Sequence, residues 1–248
     1  MILERFEQPD WLSNTWLVAA GEGGPALLVD AGADAGPVLA AVRQHRLEVT
    51  KILLTHHHHD HAAEARSLAA GTGARIAAHP EEVPLFADTS LVHDPLADGE
   101  VIRCGDLSVR ALHIPGHTAG QLAFHIETVG LFTGDTLFAG SIGGTLAPGN
   151  TSFADLRASL LERLMVFPDD TPVLPGHRLP TTIGEERREN PFLRVLTGLD
   201  PEGEATAVFA GRRVRLIVWA RDYDGGHKAW VRFENGRDEV VPGSRVQR

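Results

Sequence analysis

The sequence predicts an α+β protein: two β-sheets packed face to face with helices outside, an αββα sandwich, followed by a small all-β module. Three observations lead there. Apolar strands followed by helices occur in two rounds along most of the chain. The last fifty residues or so are strand-like and punctuated by turn signals ("DYDGG", "ENG") without helical periodicity. Hydrophobic residues make up 43% of the 248, ample for a packed core. We expect a main domain over residues 1–199 and a β-rich module over 204–248, with a boundary near Leu199–Glu204.

Residues 16–30, "WLVAAGEGGPALLVD", read as two strands around a Gly-Pro turn. Residues 34–47 look helical, 51–55 a strand, 60–70 a helix closed by Gly71, and 75–79 a strand. A loop follows "HPEEVP", and "VIRCGDLSVRALHIPGH" alternates like strands around a Gly-Asp turn. "QLAFHIE" and "GLFTGD" form another strand pair. "SFADLRASLLERLMVF" is a helix, with Ser152 and Asp155 at capping-box spacing and Leu156, Leu160 and Leu164 on one face. "TPVLPGH" runs from strand into turn. "TTIGEERRENPFLRVL" is a second helix, capped by Thr182 and bent or restarted at Pro191. In the tail, "RLIVWA" and "AWVRF" are too apolar to stay solvated, and Trp219 and Trp230 belong to the module's core.

Residues 55–61 read "THHHHDH". A purification tag sits at a chain end, whereas this run follows a buried strand and precedes a helix. His56, His58, Asp60, His61, His117 in "PGHT", Asp135 in "TGD" and His177 in "PGH" all sit at strand ends or tight turns. Neutral imidazoles and carboxylates suit zinc, iron and manganese. Seven such groups exceed the needs of one tetrahedral ion and suffice for two ions sharing a carboxylate.

The ordered set H-x-H-x-D-H, "PGHT", "FTGDTLF" and "PGH" resembles the metallo-β-lactamase-fold hydrolases. It is most similar to their glyoxalase II-like (hydroxyacylglutathione hydrolase-like) branch, where "FTGDTLFAGSIGG" and "LPTTIGEERRENPFL" also match. The likeness covers roughly residues 10–197 and leaves out the tail. It implies that His56, His58 and His117 hold one divalent metal ion, and that Asp60, His61 and His177 hold a second. Asp135 would bridge them, with zinc as the expected ion and iron or manganese as alternatives. A water activated between such ions attacks as hydroxide. Asp60 is then the catalytic carboxylate that orients it. The implied activity is a metallo-hydrolase acting on a small-molecule thioester or related ester.

The alternative is a mononuclear-iron persulfide dioxygenase holding its iron through His56, His117 and Asp135. A relic site serving a binding protein is the non-enzymatic reading. Asp135 stands where true β-lactamases of the group place cysteine, and His58 where flavodiiron proteins place a carboxylate. Gly144 occupies the position of a cation that holds the thiol carboxylate in glutathione-using relatives. The single tyrosine, Tyr223, lies in the tail, so glutathione itself is disfavoured.

A net charge of −10 and the lack of a dense basic block argue against nucleic acid. No apolar run reaches membrane-spanning length, and the N-terminus lacks signal-peptide character. One cysteine, Cys104, fits a reducing cytoplasm and reads as a core thiol. His57 and His59 fall at the variable positions of the motif, and His79 and His113 read as structural. An oligomer contact is one role open to the tail.

Overall fold

The computed structural model describes residues 1–248. The chain forms two compact units, one of residues 1–113, 120–134 and 174–178, the other of residues 114–119, 135–173 and 179–248.

The first unit opens with β1 (Ile2–Glu7), β2 (Asn14–Ala19), β3 (Pro25–Val29), α1 (Ala35–Gln44) and β4 (Glu48–Leu53). It continues through α2 (His59–Ala62), α3 (Ala65–Thr72), β5 (Arg75–Ala78) and β6 (Asp94–Pro95). β1 to β6 form one six-stranded sheet in chain order, antiparallel to β3 and parallel beyond it. An antiparallel meander follows: β7 (Val101–Cys104), β8 (Leu107–His113), β9 (Leu122–Ile126) and β10 (Gly130–Gly134). Trp16, Val18, Leu27 and Val29 bury one face of the first sheet against Val109, Ala111, Phe124 and Phe132 of the meander. Leu17, Leu28 and Ile52 point the other way, against Val38 of α1 and Leu68 of α3. β2 is therefore buried at every position, and its Trp16–Ala19 stretch reads as a continuous apolar run.

Three local features depart from the sequence reading. β1 was not expected; it is a half-buried edge strand that registers only through its pairing with β2. The expected 60–70 helix is two pieces, because the Glu64 N–H donates to the Ala31 carbonyl at 2.8 Å instead of continuing the α2 ladder. Its end is Gly73, at φ 75°, while Gly71 lies where a Cβ would meet the Leu39 side chain at 2.7 Å.

The second unit contains β11 (Leu137–Phe138), β12 (Ser141–Ile142) and α4 (Phe153–Ala158). The Ser152 side chain accepts from Asp155 N–H, as its spacing predicts. The helix then widens into a π-helical stretch over Ser159–Leu164, which keeps Leu156, Leu160 and Leu164 buried. β13 (Pro172–Pro175), whose first two residues belong to this unit, pairs with β14 (Thr181–Thr182). α5 (Ile183–Glu189) stops at Asn190, and α6 (Pro191–Leu196) restarts with Asn190 Oδ1 accepting from Phe192 N–H at 3.0 Å.

The tail adds β15 (Ala205–Phe209), β16 (Arg212–Arg221), β17 (His227–Phe233), β18 (Asp238–Pro242) and β19 (Val246–Gln247). They form a five-stranded antiparallel sheet in the order β18-β17-β16-β15-β19 around Val214, Leu216, Ala229, Val231 and Val241. No helix is long and apolar enough to cross a membrane.

Candidate metal centre

The first unit carries His56, His58, Asp60, His61 and His177; the second carries His117 and Asp135. In the first unit the chain leaves β4 at Leu53, and the buried Thr55 and His56 open the turn that leads into α2. That turn lies directly on the end of β3. A Cβ at Gly32 would come within 1.7 Å of the Asp60 carbonyl oxygen, and Ala31 N–H donates to the His61 carbonyl at 2.7 Å. Glycine at 32 is what lets the two backbones touch.

Three ligand atoms converge there. His61 Nε2 and His177 Nε2 are 3.3 Å apart, and Asp60 Oδ2 lies 3.5 Å from the first and 3.4 Å from the second. Ligands around a tetrahedral ion at roughly 2.0–2.2 Å are separated by about 3.3–3.6 Å, so this triangle has the size of one tetrahedral face.

The tautomers agree with that role. His177 Nδ1 donates to the Trp11 carbonyl at 3.0 Å, a group that only accepts. His61 Nδ1 lies 2.9 Å from Asp30 Oδ2 and donates to it. In the neutral imidazole each Nε2 then presents a lone pair. Two lone-pair nitrogens and a carboxylate oxygen held this close repel one another unless a cation lies between them.

His56 is fully buried, with its ring 4.5 Å from that of His58 and 4.3 Å from that of His61. Its Nδ1 is 3.0 Å from the Thr55 hydroxyl, which itself donates to Asp30. Asp30 thus fixes two imidazoles at once.

In the second unit, His117 Nδ1 donates to the Gly144 carbonyl at 2.9 Å, leaving Nε2 at 3.6 Å from Asp135 Oδ2. Gly143 holds the turn behind them, since a Cβ there would lie 2.1 Å from the Asp135 carbonyl oxygen and 3.3 Å from His117 Cβ. The same two side chains line a cavity of about 380 Å³ whose remaining wall includes Phe138, Tyr223 and Lys228.

The family model of the metallo-beta-lactamase superfamily matches residues 9–177. The chain belongs to the metallo-beta-lactamase superfamily. An uncharacterised protein of Mycobacterium leprae (strain TN) is 35% identical over 206 residues, covering 74% of this chain and 94% of its own length. A hydroxyacylglutathione hydrolase of Cereibacter sphaeroides (strain ATCC 17025) is 37% identical over 163 residues, 65% of this chain and 61% of that enzyme. The crystal structure of ETHE1 from Myxococcus xanthus superposes with a TM-score of 0.69 at 27% identity, covering 81% of this chain and 92% of that one. That of TTHA1623 in a di-iron-bound form gives 0.67 at 34% identity, covering 78% and 100%.

Other histidines of this superfamily member do different work. His57 Nδ1 and its backbone N–H both meet Glu82 Oε2, at 2.5 and 2.8 Å, and Glu82 Oε1 accepts from Gly120 N–H at 2.8 Å. His59 is exposed and packs edge-on against Trp11, with ring centroids 5.0 Å apart. His79 and His113, with Glu81, bring ligand atoms within 4.8 Å of one another. The two rings are stacked 4.2 Å apart and within 7° of parallel, so their lone pairs run side by side instead of meeting. Burial, then the neighbouring His113, pushes the His79 pKa below the ordinary value. Cys104 is a buried thiol whose pKa burial raises.

Sequence reasoning missed Asp30 and Glu82. Asp30 had a signal, since it ends "ALLVD" as Asp135 ends "FTGD". Glu82 had none.

Proposed function

We propose that this metal-dependent hydrolase cleaves a small-molecule thioester or related ester, using two divalent ions of which zinc is the expected kind. In this reading His56, His58 and His117 serve one ion, Asp60, His61 and His177 the other, and Asp135 both. The observation that carries it is the triangle of Asp60 Oδ2, His61 Nε2 and His177 Nε2 with edges of 3.3–3.5 Å. Bound there, such ions would lower the pKa of water toward neutrality and polarise the substrate carbonyl.

The chain's own part is to place and orient. Asp30, the Thr55 hydroxyl and the Trp11 and Gly144 carbonyls each hold an imidazole through Nδ1, which leaves its Nε2 for a metal ion. The Asp60 side chain is 26% exposed, so it can accept a hydrogen bond from an attacking water and orient it toward the carbonyl. The 37% identity to a hydroxyacylglutathione hydrolase supports the thioester class, while the tail outside the family match supports a different thiol carrier. With a single cysteine, and so no intrachain disulfide, the reducing cytoplasm is the compartment we propose.

Elemental analysis of protein purified without chelator, combined with a thioester panel and an oxygen electrode, tests the reading. The expected result is close to two zinc-type ions per chain and thioester hydrolysis without oxygen uptake. A single iron with oxygen consumption on glutathione persulfide replaces it with the dioxygenase.

A further inference from the structure

Lys228 is one of two lysines in the chain and is only 6% exposed, although it lies on a tail strand. Its ammonium donates to the Ile142 carbonyl at 2.8 Å and pairs with Asp222 Oδ1 at 3.1 Å. It also sits over the rings of Phe138 and Tyr223, 5.1 and 5.2 Å from their centroids. The two oxygen partners account for two of the ammonium's three N–H donors, and Lys228 lines the same cavity as His117 and Asp135.

The tail acids on the same wall are already engaged. Asp222 accepts from the Ser141 hydroxyl at 2.8 Å and from Tyr223 N–H at 2.9 Å, besides pairing with Lys228. Asp224 accepts from Gly226 N–H at 2.7 Å within its own turn. Those carboxylates spend oxygens on the tail's own donors, and the cations that line the cavity are Lys228 and Arg245.

We propose that Lys228 is a specificity-determining residue that anchors a carboxylate of the substrate, supplied by the tail to the cavity beside His117 and Asp135. This rests on the hydrolase reading for the cavity's use, though the anchor can be measured without turnover. The aromatic pair holds the ammonium in place, so little freedom is lost when an anion arrives. Asp222 sets how much positive charge remains.

The test is calorimetric titration of the metal-loaded full chain with 3-(methylthio)propanoate and with its uncharged methylamide. Wild type should bind the carboxylate about tenfold or more tightly than the amide. Lys228→Met should remove that preference and Lys228→Arg should keep most of it. Asp222→Asn should raise the preference, an opposite change that loss of folding does not produce. Equal binding of the two probes by wild type overturns the proposal. So does a preference that survives in Lys228→Met, which would place the carboxylate on Arg245 or on the metal ions instead. A Lys228-dependent preference in a protein that hydrolyses no thioester leaves the anchor standing and removes the hydrolase reading; hydrolysis without the preference does the reverse.

Discussion

At Asp30 the backbone adopts φ 57°, a left-handed conformation that aspartate and asparagine tolerate better than most residues. Its carboxylate takes Thr55 N–H at 2.7 Å, the Thr55 hydroxyl and His61 Nδ1, so one buried residue orients the histidines on both sides of the turn. Asp30→Asn keeps the backbone and the volume but puts an amide donor where His61 needs an acceptor. Metal affinity, read by competition with a chromogenic chelator, should fall about 10–100-fold while the fold survives. His57 and His58 should part in the same way. His58→Ala, like Asp135→Ala, should abolish thioester hydrolysis. His57→Ala removes the imidazole partner of the fully buried Glu82 and leaves it the backbone N–H groups of residues 57 and 120, and its cost should appear as about 1–3 kcal/mol of stability. Its activity per folded molecule should stay within about tenfold. Equal activity losses at all four histidines of the run would show that the alternation of ligands is misassigned.

Among the elements, the turn that carries His117's hydrogen-bond acceptor depends on Gly143, whose absent Cβ leaves room for the Asp135 carbonyl. Gly143→Ala would put its new Cβ 2.1 Å from the Asp135 carbonyl oxygen, so the 141–144 turn and the Asp135 backbone must separate. Activity should fall at least about a hundredfold with a smaller loss of stability, measured by kcat and by denaturant melts on the same preparation. Equal activity in the alanine variant would mean that the turn relaxes freely.

The longer strands, β1 excepted, and the helix caps were legible because their patterns depend on neighbours in sequence. Ser152 and Thr182 bond the N–H three residues on, as their spacing predicts. The break between α2 and α3 was not legible, because it depends on Ala31, far back in the chain. The proposed ligand positions are legible as strand ends, whereas the partners that orient them include carbonyls of Trp11 and Gly144, which no side-chain pattern encodes.

Over the molecule as a whole, the tail is where sequence resemblance stops and structure continues. The family match ends at residue 177, yet the tail's β-sheet and residues 135–173 fall within one compact unit. Trp230 packs on Phe153 with ring centroids 4.7 Å apart, and Thr145 N–H donates to the Val240 carbonyl at 2.9 Å. The Thr145 hydroxyl also bonds Glu239. These contacts join the tail to the segment that carries Asp135 and the turn behind His117. Truncation after Gly203 would uncover Phe138 and Phe153 and leave the Ile142 carbonyl without its ammonium partner. Each lost buried hydrogen bond costs about 1 kcal/mol, and the exposed aromatic surface adds to it. The shortened chain should therefore melt roughly 10 °C lower or more, or fail to stay soluble. Where it survives, it should lose discrimination between charged and neutral substrates before it loses metal. A truncated protein with unchanged melting temperature, metal content and substrate profile would show that the tail is a passenger on a complete catalytic domain.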